Sequence, residues 1–135
     1  MWIRRVLVLV FVAVALAGCR NPYLISERFT ESSREYNRSI RWRELEQACL
    51  AFADRGVKDE CLARAAAKGV SVADYRVVST ELDPEKGTAT VHMEIDYYVL
   101  PSTRLKSVRD VQQWRYEEKD GDLRWRIVTP PPEFK

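Results

Sequence analysis

From Thr88 to Leu100 the chain alternates without interruption. Ala89, Val91, Met93, Ile95, Tyr97 and Val99 fall on one side, and Thr88, Thr90, His92, Glu94, Asp96 and Tyr98 on the other. A period of two over this length specifies an extended strand with one buried face. Its neighbours follow from turn chemistry. Asp120-Gly121 is a two-residue turn that accepts positive φ at both positions. It sets Tyr116 opposite Trp125 and Trp114 opposite Ile127, large apolar pairs on one face. A reversal around Leu100-Pro101-Ser102-Thr103 sets Tyr98 opposite Leu105, hence Ile95 opposite Val108 and Glu94 opposite Arg109. The segment Asp83-Pro84-Glu85-Lys86-Gly87 closes a first hairpin and brings Arg76 to the other side of Glu94. The three registers agree, and a slip of one residue in any of them exposes the aromatic face. Thr129 and the prolines at 130, 131 and 132 end the last strand, because proline cannot donate to the ladder.

Upstream the signals are helical. Ser32-Ser33-Arg34-Glu35 reads as a capping box. Beyond it, Trp42, Leu45, Cys49 and Phe52 make one apolar stripe, with Tyr36 and Ile40 on nearly the opposite side. Arg55-Gly56 ends this helix, and a shorter one runs from about Asp59 to Lys68, stopped by Gly69. The expected fold class is α+β: two N-terminal helices packed on a curved four-stranded antiparallel meander. Cys49 and Cys61 lie on either side of the Gly56 turn, which brings them level in an antiparallel helical hairpin. A disulfide between them is expected, stabilising by about 3 kcal/mol in the chain-entropy account.

The amino terminus sets the location. Arg4 and Arg5 precede an unbroken apolar run, Val6 to Ala17, with small residues at its end. This is the build of a secretory signal peptide, and the run is shorter than the roughly 20 apolar residues that a membrane crossing needs. Leu16-Ala17-Gly18-Cys19 resembles the lipobox of bacterial lipoproteins. The resemblance implies cleavage before Cys19, lipid on its thiol and acylation of the new amino group. With Arg20 rather than Asp after the cysteine, it implies an outer-membrane destination with the domain facing the periplasm. Two or three acyl chains anchor a protein where one does not. The expected organisation is 1–18 signal peptide, 19–33 lipidated tether, 34–129 domain and 130–135 proline-rich tail. The tether is expected as a flexible coil, or docked through Tyr23, Leu24, Ile25 and Phe29; the tail is expected over the sheet edge or free.

Cutting before Cys19 leaves 117 of the 135 residues, with 20 basic and 20 acidic side chains. The formal charge of +2 thus belongs to Arg4 and Arg5, and the domain lacks the clustered positive field of a nucleic-acid binder. One histidine, with Cys19 consumed by lipid, leaves too few ligands for a metal centre. No cofactor is implied.

The helix-then-meander order is similar to the cystatin-like cone, and most to the nuclear transport factor 2-like superfamily, which includes ketosteroid isomerase and polyketide cyclase relatives. The likeness is carried by Arg41-Trp42, Gln113-Trp114-Arg115-Tyr116 and Leu123-Arg124-Trp125-Arg126-Ile127. It implies a sheet wrapped around a helix to make a pocket, used in some members for acid/base catalysis and in many for binding. Fold alone does not fix function.

Candidate pocket residues are those on the inward register: Lys106, Asp110 and Gln112 with Trp114, Tyr116 and Tyr97. An inward acid against aromatic walls suits a general base; the alternative is that this end of the strand curls away and leaves Lys106, Asp110 and Gln112 solvated. Glu94 and Asp96, with Arg76 and Arg109, read as a solvated outer ladder, and His92, between Val78 and Val111, as a surface residue. The expected function is a non-catalytic binding or scaffolding module on the outer membrane. Its partners are the membrane through Cys19, a periplasmic protein, and a second copy through the sheet. The alternative is a small ketosteroid-isomerase-like enzyme, or a carrier of a hydrophobic ligand, with Asp110 as pocket base.

Overall fold

The computed structural model describes residues 1–16 and 21–135. Among the described residues four helices precede four strands: α1 (Trp2–Leu16), α2 (Pro22–Arg41), α3 (Leu45–Phe52), α4 (Lys58–Ala65), β1 (Val70–Asp83), β2 (Thr88–Val99), β3 (Lys106–Lys119) and β4 (Asp122–Ile127). The strands form one antiparallel sheet in the order β1-β2-β3-β4, so the class is α+β with helices laid on a meander.

The registers match the turn chemistry. Tyr116 pairs with Trp125 and Trp114 with Ile127, Ile95 with Val108 and Glu94 with Arg109, and Arg76 with Glu94. Asp120 and Gly121 both have positive φ, at 53° and 77°. Gly87, at φ 66°, lets its carbonyl accept from the Tyr116 amide at 2.8 Å; a Cβ there would stand 3.2 Å from Tyr116 Cβ. One pairing differs. A bulge between Val77 and Ser79 sets Ser79, not Val78, opposite His92.

The helical layer departs further from expectation. The long helix starts at Pro22, not at the Ser32 box. Asn21 Oδ1 accepts from the Tyr23 amide at 3.0 Å, and proline at the first position needs no amide partner. The segment expected as a flexible tether is therefore helical from Pro22 onward, docked through Ile25 and Phe29, while Tyr23 and Leu24 face solvent. Ile25, Phe29, Tyr36 and Ile40, spaced by four, seven and four residues, form its buried stripe. The helix then breaks before the expected stripe is complete: Trp42 caps it, Arg43 takes φ 64°, and the Glu44 amide donates to Ser39 O at 2.8 Å. Trp42 is 64 % exposed, with the Arg41 guanidinium 4.9 Å from its ring centre. Leu45, Cys49 and Phe52 pack inward from the separate α3.

Helix α2 spans the whole sheet. Near its start, Trp125 Nε1 donates to Ile25 O at 3.0 Å and Arg28 Nη1 to Leu123 O at 3.2 Å, fixing β4. At its end Arg41 Nη1 donates to Val72 O at 2.9 Å, fixing β1. Between these ties lies an aromatic core in which Phe29, Tyr36 and Phe52 all meet Trp114 edge to face. Helix α1 contrasts with the rest: Trp2, Ile3 and Val6 to Val10 are exposed. Among the described residues, no helix is long and apolar enough to cross a membrane. Cys19 lies outside the described residues.

Cys49 and Cys61 are joined, with Cα atoms 5.7 Å apart, and both are fully buried. Alkylation of the purified protein without reductant is expected to leave both unmodified. Two alkyl groups on the pair, read by mass spectrometry, would contradict the bridge.

The carboxyl-terminal segment docks. Pro131 and Pro132 are buried, and the Phe134 ring lies 4.9 Å from that of Tyr97. Lys135 O accepts from Tyr97 Oη at 3.1 Å and from Lys106 Nζ at 2.6 Å.

Candidate functional site

Two features of the interior carry chemistry: a buried polar chain beneath α2, and a cleft at the open end of the sheet. The first is built by the inward register of β3, where Asp110, Gln112 and Trp114 succeed one another on one face. Asp110 is 6 % exposed and Gln112 fully buried, so the solvated alternative fails for these two and holds for Lys106 at the strand end. Helix α2 covers them, with Tyr36 and Asn37 on its underside.

Buried polar groups need partners, and here they largely find one another. Gln112 Nε2 donates to Asn37 Oδ1 at 2.7 Å and to Asp110 Oδ2 at 3.2 Å. Trp114 Nε1 donates to Gln112 Oε1 at 3.4 Å, and Asn37 Nδ2 to Ser33 Oγ at 3.5 Å. The Tyr36 hydroxyl is buried and has no hydrogen-bond partner among the described residues. Burial, then the charge of Asp110, push the Tyr36 phenol above its ordinary value. Burial also lifts the Asp110 carboxyl to about 6, against a smaller lowering by the Gln112 hydrogen bond and by the Arg64 charge.

The six candidate pocket residues do not form one pocket. Lys106 is exposed at the strand end, where its ammonium caps the tail carbonyl rather than facing a cavity. Tyr97 is buried under that tail. Tyr116 packs on Trp125, with centroids 5.3 Å apart, and Trp114 fills the centre of the core. Asp110 and Gln112 remain as the polar pair. Sequence reading missed Tyr36, Asn37 and Arg64 as their neighbours. The available signal was the spacing from Ile25 to Ile40, which a helix beginning at Ser32 discards.

The cleft has a volume of about 220 Å³ and lies between the α2–α3 turn, α4, the start of β1 and the tail. Asp110 is not among its lining residues. Asp110 instead borders a depression shared with His92, Glu94 and Arg109. On the outer face Arg76 pairs with Glu94 and reaches Asp96 at 3.6 Å, and Arg109 lies 3.9 Å from Glu94. The arginines of these pairs are exposed and the carboxylates half-buried, so the pairs contribute little. Among the described residues, no group of three or more metal-ligating side chains comes together. No known family model matches the chain, and no curated protein matches it.

Proposed function

We propose that the chain is an outer-membrane lipoprotein, anchored through Cys19, whose periplasmic domain is a non-catalytic binding or scaffolding module. The observation that carries the non-catalytic reading is the filled concave face. Trp114, Trp125, Tyr36 and Met93 are fully buried where a cone-shaped enzyme would keep its substrate cavity. The inward acid spends a carboxylate oxygen on Gln112, does not line the cleft, and is only 6 % exposed where it borders the outer depression. A general base needs its substrate within hydrogen-bond reach. The likeness to the nuclear transport factor 2-like superfamily belongs to the same proposal, supported by helices laid across a four-stranded meander.

The lipid anchor is supported by the apolar run ending on Leu16-Ala17-Gly18-Cys19 and by an α1 whose described side chains stay exposed. Metabolic labelling with a palmitate analogue is expected to mark the wild-type protein and to vanish completely in Cys19→Ser. Label retained in the variant would remove both the anchor and the membrane location.

A further inference from the structure

The cleft at the open end of the sheet is apolar in its walls and cationic at its edge. Ile40, Leu45, Val70 and Phe134 supply the walls, and Arg43 and Arg64 the charge; no acidic side chain lines it. The two arginines are held differently. Arg64 is already committed: Nη1 donates to Pro131 O at 2.5 Å, Nη2 to Glu60 Oε1 at 2.5 Å, and Glu133 stands 3.7 Å away. It fastens the tail that forms one wall. Arg43 sits at the helix break with φ 64°, a conformation that costs a non-glycine residue free energy. Its Nη2 donates to Ser71 Oγ at 2.9 Å, and it has no carboxylate partner among the described residues. A guanidinium with donors to spare at the rim of an apolar cleft matches a carboxylate on an apolar body, because its planar fork pairs with both oxygens.

We infer that this cleft binds small amphipathic monocarboxylates, with Arg43 taking the carboxylate and Ile40, Leu45, Val70 and Phe134 enclosing the apolar end. The volume lies below the roughly 300–1,000 Å³ of drug-sized sites, which restricts the ligand to a small one. This deepens the binding-module reading and rests on it.

The test uses the full lipidated chain in nanodiscs and 3-phenylpropionate as probe, with 3-phenylpropanamide as its neutral twin. Methyl resonances of Ile40, Leu45 and Val70 are followed by NMR. Saturable shifts with the acid are expected, at least tenfold weaker with the amide and at least tenfold weaker in Arg43→Gln. Ala67→Trp, at an exposed position lining the cleft, is expected to block binding, and it serves as the second variant if Arg43→Gln fails to fold. Three results would each overturn the inference: no saturable shift in wild type at 5 mM, equal binding of acid and amide, or wild-type affinity in both variants. None of these alters lipid labelling at Cys19, so failure of the cleft and failure of the anchored reading are distinguishable.

Discussion

Trp114→Ala is expected to destabilise the domain by about 3–5 kcal/mol, the range for emptying a buried tryptophan site. The ring touches Phe29 and Tyr36 from α2 and Phe52 from α3, at centroid distances of 6.0, 5.5 and 6.1 Å, all edge-on. It is also paired across the sheet with Ile127 and hydrogen-bonded to Gln112. Truncation therefore leaves a void faced by two helices and two strands, and frees one buried acceptor. Aromatic walls around the void cannot collapse without leaving their own partners. Chemical denaturation of the purified protein gives the measurement. A midpoint within error of wild type would mean that Trp114 does not occupy the centre of the core.

Asp110→Asn should stabilise the protein by about 3 kcal/mol at pH 8 and by only about 0.5 kcal/mol at pH 4. The folded state raises the carboxyl from 3.8 to about 6, chiefly through burial. A raised acid favours the protonated form, so its contribution is fully present below the unfolded value and is lost as pH rises through about 6. Above that, the folded protein carries a buried charge faced by Gln112 of β3, Tyr36 and Asn37 of α2 and Arg64 of α4. Asparagine removes the charge and keeps an oxygen for Gln112 Nε2. The difference between variant and wild type, followed from pH 4 to 8, isolates this one group from other carboxylates. A flat difference would show that Asp110 titrates as an exposed acid does.

The sheet was legible because its determinants are local and redundant. Each hairpin carries its own turn, and three independent registers place the same face inward. The helical layer was not. Asn21-Pro22 is a strong start signal, yet it lies just after Leu16-Ala17-Gly18-Cys19, whose resemblance to a lipobox invites the reading of a tether. The break at Arg41 to Glu44 contains neither glycine nor proline, so nothing in its composition announces a residue in the left-handed region. The bulge beside Val78 is equally silent. The cysteine pair survived these errors because it needs only a turn at Gly56 between two helices, wherever the first begins. Asp110 was placed on the correct face by parity alone. What parity cannot supply is what lies above that face, and the identity of its cover depended on where α2 starts.

The ties between α2 and the last strand also bear on how the chain reaches this state. The Trp125–Ile25 hydrogen bond joins residues 100 apart in sequence, and Arg28–Leu123 joins residues 95 apart. The start of α2 thus waits for the final hairpin before its end of the apolar stripe is covered. Contacts of such separation slow folding, because the intervening loop must close before they form. Until the strands have paired, Ile25 and Phe29 lack the surface that buries them in the folded chain. That interval is when the chain is most exposed to aggregation, through Ile25 and Phe29 first.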